Sequence, residues 1–301
     1  MATEVNIQDR LFFALAKEKH LPVLIDAGAR GGVPEPWSFL NPDQYIVHGF
    51  EPDAQACEEL KRNAPNHHHF HATALWNEKK SIPLHLNVSR ATSSVYPTND
   101  EALRDFPARN TQSRITESVV QVEADRMDSL VDEPFIDQLK IDVHSAEFEI
   151  LQGAEGLLAK TFCVMIEAWV LEVHKGQKRL GDILRFMAEK GFVPYHFNNQ
   201  YMAWHEAATD LAERTGRSRQ VASVVLFFPE DLSRIEDQFK PRAAAIADIY
   251  GYPETALRIL GDPFPREKKV IIDYWSQFKA LKGGRVDRLL GRKQPYIAPV
   301  E

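Results

Sequence analysis

The chain has 301 residues, 44% of them hydrophobic, and a formal net charge of −7. A chain of this length and composition can bury one large core, and its negative charge argues against a protein that binds nucleic acid. The two cysteines, Cys57 and Cys163, lie far apart in the sequence. Their spacing excludes a metal–thiolate site and indicates a reducing compartment.

The sequence predicts neither a membrane protein nor a secreted one. No apolar stretch approaches the roughly 20 residues that span a bilayer, and residues 1–9 have neither the basic start nor the apolar run of a signal peptide. We therefore expect a cytoplasmic protein. From Phe264 to Glu301, nine Lys or Arg stand against four Asp or Glu. This basic end is a solvated tail by default, and an acidic partner, an anionic glycan or a membrane surface is the alternative.

The first elements in chain order are an amphipathic helix over Ile7–Lys19 and a buried parallel strand over Val23–Ala27. A glycine-rich turn follows the strand. Its glycines, Gly28, Gly31 and Gly32, permit positive φ and the close approach of a ligand to bare backbone. The sequence therefore predicts a ligand-binding turn directly after the first strand.

A short helix over Glu35–Leu40 and a second strand over Tyr45–Glu51 come next. Glu51, which ends this strand, can accept hydrogen bonds from both hydroxyls of a ribose, as α/β folds do when they hold a nucleoside. Positions 28, 30 and 33 are Gly, Arg and Val, so the turn does not fit the G-x-G-x-x-G spacing of dinucleotide-binding folds. The pattern favours a nucleoside cofactor without a pyrophosphate.

Strands and helices alternate along the rest of the chain, which predicts an α/β fold with a doubly wound, mostly parallel sheet and helices on both faces. The further predicted strands are 67–75, Ile82–Val88, Ser118–Ala124, Ile136–Val143, Thr161–Glu167, Phe192–Phe197 and Val221–Phe228. The further predicted helices are Asp53–Arg62, Glu147–Leu158, Leu180–Lys190, Asp231–Phe239, Arg242–Tyr250, Glu254–Leu260 and Lys268–Phe278. We place one domain over residues 1–230 and a helical, basic extension over residues 231–301.

Residues 89–116 form the longest stretch without a clear period, and they are rich in polar residues and arginine. A connection of this length in a compact domain is usually functional, so we expect residues 87–118 to be a lid over an acceptor. Arginine forks suit carboxylate, phosphate or polyol oxygens, and serines can approach a ligand. The residues concerned are Arg90, Ser93, Ser94, Arg104, Arg109 and Arg114. The alternative is an ordinary surface loop.

The second informative stretch runs from Leu139 to Ala154. In it, Lys140 and Asp142 share one face of a predicted strand, near its carboxyl end. A charge inside a central strand is costly unless it is paired, and α/β sheets bind their ligands at the carboxyl ends of the strands. Lys140 and Asp142 are therefore candidate site residues.

These two stretches resemble the motifs of the FkbM-type S-adenosylmethionine-dependent methyltransferases. The cofactor motif of that family is similar to Val23–Gly31 followed by Gly49–Pro52, and its signature segment is similar to Lys140–Val143 with the downstream residues Glu147, Leu151, Gly153 and Ala154. The resemblance covers roughly residues 20–230. It implies a seven-stranded Rossmann-like methyltransferase sheet with an antiparallel last strand. The implied activity is O-methylation of a hydroxyl on a sugar, a glycan or a secondary metabolite.

The resemblance also assigns a cofactor role to the first two strand ends. Asp26, Gly28 and Gly31 would frame the methionine end of S-adenosylmethionine. Glu51, followed by Pro52, would hold the ribose.

The remaining cofactor positions lie farther along the chain. Ala74 and Leu75 would lie beside the adenine, and Asp142 would face the amino group or the transferring methyl. The chain departs from the family in two places, because the family usually has Asn where Arg30 stands and Glu-Gly where His144 and Ser145 stand. Arg30 could bind the carboxylate of the cofactor instead.

Methyl transfer to a hydroxyl requires alignment in a dry pocket and a group that takes the hydroxyl proton. His144 is the candidate base, and the alternative is a polar residue that caps the next helix. Glu167 shares that task or holds a substrate hydroxyl, unless it is only a solvated strand end. Lys140 orients the substrate oxygen or pairs structurally with Glu123 or Asp142.

Two further questions concern metals and other functions. His67, His69 and His71 share one strand face and could bind a metal, but solvated histidines on an edge strand are the preferred interpretation, and no metal is predicted. A nicotinamide-dependent oxidoreductase and a non-catalytic cofactor-binding module are the alternative functions. The expected partner is a small-molecule or glycan acceptor, and a homodimer is left open.

Overall fold

The computed structural model describes residues 6–17, 21–62, 64–202 and 219–277. Its strands in these ranges are β1 Val23–Ala27, β2 Ile46–Phe50, β3 His68–His71, β4 Ala74–Leu75, β5 Lys80–Asn87, β6 Thr116–Asp125, β7 Ile136–Ile141, β8 Thr161–Trp169, β9 Phe192–Met202 and β10 Arg219–Pro229. Its α-helices are α1 Leu11–Lys17, α2 Ala54–Lys61, α3 Asp100–Leu103, α4 Ala108–Gln112, α5 Met127–Leu130, α6 Glu147–Gly153, α7 Glu155–Leu158, α8 Leu180–Glu189, α9 Lys240–Ile249, α10 Pro253–Leu260 and α11 Pro265–Ser276.

The main sheet has seven strands in the order β3-β2-β1-β7-β8-β10-β9. β10 runs antiparallel to both of its neighbours, while β1, β2, β3, β7 and β8 pair in parallel. The central strands β1 and β8 are buried along their whole length, as expected for strands covered by helices on both faces. The predicted fold class and the antiparallel last strand are confirmed.

The carboxyl ends of the parallel strands meet at one edge of the sheet. In the register of β1 with its neighbours, Asp26 lies beside Gly49 of β2 and Lys140 of β7. Glu51 follows β2 directly, and Asp142 follows β7. The topology therefore gathers the acids that the sequence places at strand ends.

A second, three-stranded sheet has the order β4-β6-β5. The prediction of one strand over residues 67–75 is wrong, because the chain bends at residues 72–73 and β3 and β4 belong to different sheets. β3 stays at the edge of the main sheet, whereas Ala74 and Leu75 pair in parallel with the end of β6. The alternation of the Ile82–Val88 strand predicts a strand that pairs antiparallel or lies at an edge, and β5 does both: it pairs antiparallel with β6 and ends the second sheet.

Three predicted helices take a different form. The helix expected over Glu147–Leu158 is interrupted at Ala154, whose φ of −120° and ψ of 16° are not helical. Just before it, Gly153 packs so closely that an added Cβ would lie 2.0 Å from the backbone oxygen of Trp76. The helix expected over Glu35–Leu40 is a single 3-10 turn, and Asp231–Phe239 holds two such turns.

Helices cover both faces of the sheet. α1 and α9 to α11 bury one face, and the run Ala243–Ala247 of α9 lies within that core. α6 to α8 cover the other face. The division at residue 230 stays a prediction, and residues 278–301 of the predicted basic extension lie outside the described residues. None of the described helices is long and apolar enough to cross a membrane.

A buried ion pair ties α9 to the sheet, and its loss should be costly. Asp137 of β7 is fully buried and accepts from Nε of Arg242 at 3.0 Å and from the backbone N–H of Val23 at 2.7 Å. Arg242→Met removes the cation and leaves a buried carboxylate uncompensated. We expect urea unfolding to show a loss of about 3–5 kcal/mol.

Lys269→Met is the matched control for that variant. Lys269 pairs with Asp273 on the exposed surface of α11. An exposed pair of this spacing contributes about 0.3–0.5 kcal/mol. Equal losses in the two variants would contradict the structural role of Asp137–Arg242.

Candidate active site

A cavity of about 680 Å³ opens at the carboxyl edge of the sheet. Its walls include every site residue predicted from the sequence except Asp26, namely Gly28, Arg30, Gly31, Glu51, Pro52, Ala74, Leu75, Lys140, Asp142, His144 and Glu167. Its volume falls within the range of about 300–1,000 Å³ that is typical of ligand pockets. The structure therefore brings the predicted cofactor-binding and catalytic positions to one place.

The glycine turn forms one wall of this cavity. Gly28 has φ +90°, and a Cβ there would lie 2.0 Å from the backbone oxygen of Asp142, so β1 and β7 can approach each other only if this residue is glycine. A Cβ at Gly31 or Gly32 would meet nothing within 4 Å. Gly28 thus allows the close approach of β1 and β7, while Gly31 and Gly32 leave the backbone beside the cavity open to a ligand.

An acidic corner follows β2. Oε1 of Glu51 accepts from the backbone N–H of Asp53 at 2.9 Å and lies 3.5 Å from Nη2 of Arg30, which also donates to Asp53 at 2.5 Å. Burial raises the pKa of Glu51, and Arg30 offsets part of that effect. Arg30 therefore lies at the predicted ribose end of the site.

Lys140 pairs with Asp26 rather than with Glu123 or Asp142. Its Nζ donates to Oδ1 of Asp26 at 2.8 Å, and the side chains are 16% and 2% exposed. Burial lowers the pKa of Lys140, but attraction by Asp26 and Asp142 outweighs burial and the pKa is raised overall. The ion pair explains how a central strand holds a lysine.

A left-handed turn joins β7 to α6. His144 has φ +54° and Ser145 has φ +105°, a region that favours glycine. Oγ of the buried Ser145 lies 2.6 Å from Nδ1 of His174 and donates to Gln177 at 3.1 Å. Burial lowers the pKa of His174 to about 3, so its imidazole is neutral. The family to which the chain is similar usually has glycine where Ser145 stands, and these side-chain contacts hold the serine in that conformation.

Two substitutions at Ser145 should separate its backbone strain from its hydrogen bonds. Ser145→Ala and Ser145→Gly both lose the hydroxyl, but only glycine takes this φ without strain. We expect Ser145→Gly to be the more stable variant by about 1 kcal/mol, after allowing for the greater freedom of glycine in the unfolded chain. Thermal and urea unfolding measure the difference, and equal stabilities would show that the turn relaxes in the variants.

No side chain caps α6, and Glu147 rather than His144 binds the backbone of the turn before this helix. One carboxylate, that of Glu147, accepts from the backbone N–H groups of Ser145 and Val143 at 3.0–3.2 Å. The imidazole of His144 is therefore not needed as a cap. It lines the cavity with 15% of its side chain exposed.

Asp142, His144 and Glu167 form a cluster that lines one part of the cavity. Nδ1 of His144 lies 3.4 Å from Oε2 of Glu167. Burial lowers the pKa of His144, while Asp142 raises it, so the imidazole is neutral at pH 7. Burial raises the pKa of Glu167 well above its ordinary value, and Asp142 adds to this. The side chain of Glu167 is 3% exposed, so the alternative of a solvated strand end is wrong.

The segment 87–118 is folded against this part of the cavity. Residues 90–93 and Val95 line the cavity, and Oγ of Ser94 donates to the backbone oxygen of His144 at 2.5 Å. Arg114 is buried, with its guanidinium over the ring of Trp169. Arg104 does not line the cavity, and the side chain of Arg109 lies outside the described residues. Closure of this segment as a lid stays a prediction.

Sequence reasoning missed His174, and it named Arg114 and Glu147 without placing them beside the cluster. Arg114, His174 and Glu147 surround the cluster, and burial raises the pKa of Glu147 to about 8. Contacts across 29 or more residues gave no local signal, although the acid three residues after His144 is visible in the sequence.

The surface histidines do not form a metal site. His67 and His68 bind the backbone oxygen of Pro42, and His69 and His71 stack near His48. Over the described ranges, the side chains close enough to share a cation belong to the Asp142–His144–Glu167 cluster. β3 lies at the edge of the main sheet, and His69 is exposed there, but His71 is half-buried and its Nε2 has no hydrogen-bond partner.

Comparison with known proteins identifies the family of the chain. The model of the methyltransferase FkbM domain matches residues 26–194, more than half of the chain. The chain belongs to the FkbM methyltransferase family. This confirms the recognition from the two motifs and, with it, S-adenosylmethionine as the cofactor of this FkbM methyltransferase. The family match does not support the alternative of a nicotinamide-dependent oxidoreductase.

Solved structures similar to this FkbM methyltransferase include a methyltransferase FkbM from Methylobacillus flagellatus KT, with 14% identity and a TM-score of 0.38 over 69% of this chain and 43% of that one. Magnesium protoporphyrin IX methyltransferase from Synechocystis PCC 6803 has 10% identity and a TM-score of 0.36 over 72% and 74% of the two chains. Precorrin-6y C5,15-methyltransferase from Geobacter metallireducens GS-15 has 14% identity and a TM-score of 0.33 over 71% and 86%. The chain spans less than half of the first of these proteins. The search of curated proteins found no match.

Proposed function

We propose that this chain transfers the methyl group of S-adenosylmethionine to a hydroxyl oxygen of a sugar, a glycan or a secondary metabolite. One observation carries the proposal. The cavity that holds Glu51 and the glycine turn also holds a neutral imidazole and a buried carboxylate, those of His144 and Glu167. A cofactor and a hydroxyl acceptor can therefore meet in one pocket.

The cofactor end fits a nucleoside methyl donor. Glu51 is a buried acceptor suited to the ribose hydroxyls, with Pro52 beside it, and the apolar pair Ala74–Leu75 suits the adenine. Open backbone at Gly31 suits the methionine end. When bound, S-adenosylmethionine supplies an activated methyl group on a positively charged sulfur.

The acceptor end fits a hydroxyl that must lose a proton. An aliphatic hydroxyl is a poor nucleophile at neutral pH, so its proton must pass to a base as its oxygen bonds the methyl carbon and the carbon–sulfur electron pair returns to sulfur. His144 and Glu167 are the groups of this cluster that can take the proton, and Asp142 holds the acceptor in line. Lys140 positions Asp26 and does not reach the acceptor in this assignment.

Methyl transfer to a panel of acceptors tests the proposal. We expect labelled methyl from S-adenosylmethionine to appear on a hydroxylated sugar or metabolite, and fragmentation of the product to place the label on oxygen. S-adenosylhomocysteine binding without methyl transfer to any hydroxyl would favour a non-catalytic module. Label on nitrogen or carbon would show that the chain is an N- or C-methyltransferase and not an O-methyltransferase. A cytoplasmic location and a domain ending at residue 230 belong to the same proposal.

A further inference from the structure

The cluster at the acceptor end has the composition of a cation site. Asp142 follows β7, His144 lies on the left-handed turn, and Glu167 lies in β8. Each offers one ligand atom, and these atoms all lie within 4.8 Å of one another. Bonds of about 2.0–2.2 Å to a cation place opposite ligands about 4.4 Å apart, so shifts of a few tenths of an ångström would close the cluster around one ion.

Glu167 gives a second and independent sign of a missing ligand. Its side chain is 97% buried, and its Oε2 has no hydrogen-bond partner although it faces Nδ1 of His144 at 3.4 Å. That nitrogen also has no partner. A buried carboxylate oxygen and an imidazole nitrogen that face each other unpaired are costly, and a shared cation would satisfy both.

The two cationic side chains near the cluster, Lys140 and Arg114, do not pair with Oε2 of Glu167. Nζ of Lys140 binds Asp26. Nη1 of Arg114 donates to the backbone oxygen of Asn110 at 3.0 Å, and Arg114 makes no hydrogen bond to Glu167, although its charge acts on that carboxylate. In the part of the chain that the structure describes, Oε2 of Glu167 is left for a ligand from outside.

We propose that Asp142, His144 and Glu167 bind one divalent cation of the Mn²⁺ class, which holds the acceptor hydroxyl. Two carboxylates and one imidazole leave room for oxygen ligands from water or substrate and suit first-row divalent ions. The contact between the cation and the acceptor hydroxyl rests on the function proposed above, whereas cation binding itself does not. Binding to the cation lowers the pKa of the hydroxyl, whose proton then passes to solvent. In the cation-loaded protein His144 is a ligand and does not take the proton.

Titration of the protein with MnCl₂ alone, followed by the loss of the free Mn²⁺ signal in electron paramagnetic resonance, tests the site. We expect one saturable site in the full chain, and a weakening of about 10-fold or more in Glu167→Gln and in Asp142→Asn. Glu35→Gln is the matched control, because Glu35 lines the same cavity outside the cluster and loses the same charge. Circular dichroism and an unchanged urea-unfolding midpoint confirm that each variant is folded.

No saturable Mn²⁺ binding, or binding that both cluster variants retain, would overturn the cation site. Because this readout needs no turnover, it is separate from the proposed function. Mn²⁺ binding at the cluster in a protein that methylates no hydroxyl would leave the site in place and overturn the function. Methylation of a hydroxyl that resists EDTA, in a protein that does not bind Mn²⁺, would support the function and overturn the cation site.

Discussion

His144→Ala is expected to lower kcat by about 10²–10⁴-fold while leaving the affinity for S-adenosylhomocysteine close to that of the wild type. The imidazole lies at the acceptor end of the cavity, beside Glu167, and away from the acidic corner at Glu51. Its removal therefore takes away proton transfer or a cation ligand without touching the ribose contacts. Steady-state kinetics and calorimetry measure the two quantities separately.

The pH dependence should report the same imidazole. Burial lowers the pKa of His144, so the neutral form is present at pH 7 and becomes protonated only as the pH falls below the ordinary value for histidine. An imidazole that acts as a base or as a metal ligand must be neutral, so activity is expected to fall as the pH drops into that acidic range. Near-normal turnover in His144→Ala would assign proton transfer to Glu167, and weakened Mn²⁺ binding in the same variant would identify His144 as a ligand.

Glu51→Ala is expected to weaken S-adenosylhomocysteine binding by about 10²–10⁴-fold with little change in the fold. A carboxylate that accepts from two ribose hydroxyls makes two charge-assisted hydrogen bonds of about 1.5–3 kcal/mol each. Arg30 keeps Asp53 as its partner in the variant, so the corner does not gain an unpaired cation. Isothermal titration calorimetry gives the change in Kd.

Glu59→Ala is the control for Glu51→Ala, because Glu59 is an exposed acid on α2, outside the cavity. It should bind S-adenosylhomocysteine as the wild type does. Unchanged affinity in Glu51→Ala, with circular dichroism showing an intact fold, would exclude the ribose role.

The fold was predictable where burial imposes a simple pattern. β1 was predicted with its observed bounds, Val23–Ala27. The mostly apolar run of a buried strand stops there at a glycine, which marks a tight turn. A helix was predicted from Asp53, an acid that suits a helix start, and the side chain of Asp53 caps α2 by accepting from the N–H groups of Gln55 and Ala56. Strand-end acids such as Glu51 were predictable as site residues because parallel strands end at a common edge.

Other features depend on contacts between distant residues. The partner of Lys140 is Asp26, 114 residues away, and no periodicity distinguishes it from Glu123. The bend between β3 and β4 was missed because residues 67–75 are continuous in β-forming character, and pairing with β6 decides where the strand divides. The contact of Ser145 with His174 likewise exists only once the fold is formed.

A crystal structure with S-adenosylhomocysteine would test the assignment of the whole cavity most directly. We expect the ribose hydroxyls on Glu51, the adenine beside Ala74 and Leu75, and the sulfur directed towards the Asp142–His144–Glu167 cluster. Density for the ligand outside this cavity, or in it with the sulfur turned away from the cluster, would contradict the proposed methyl transfer at this site.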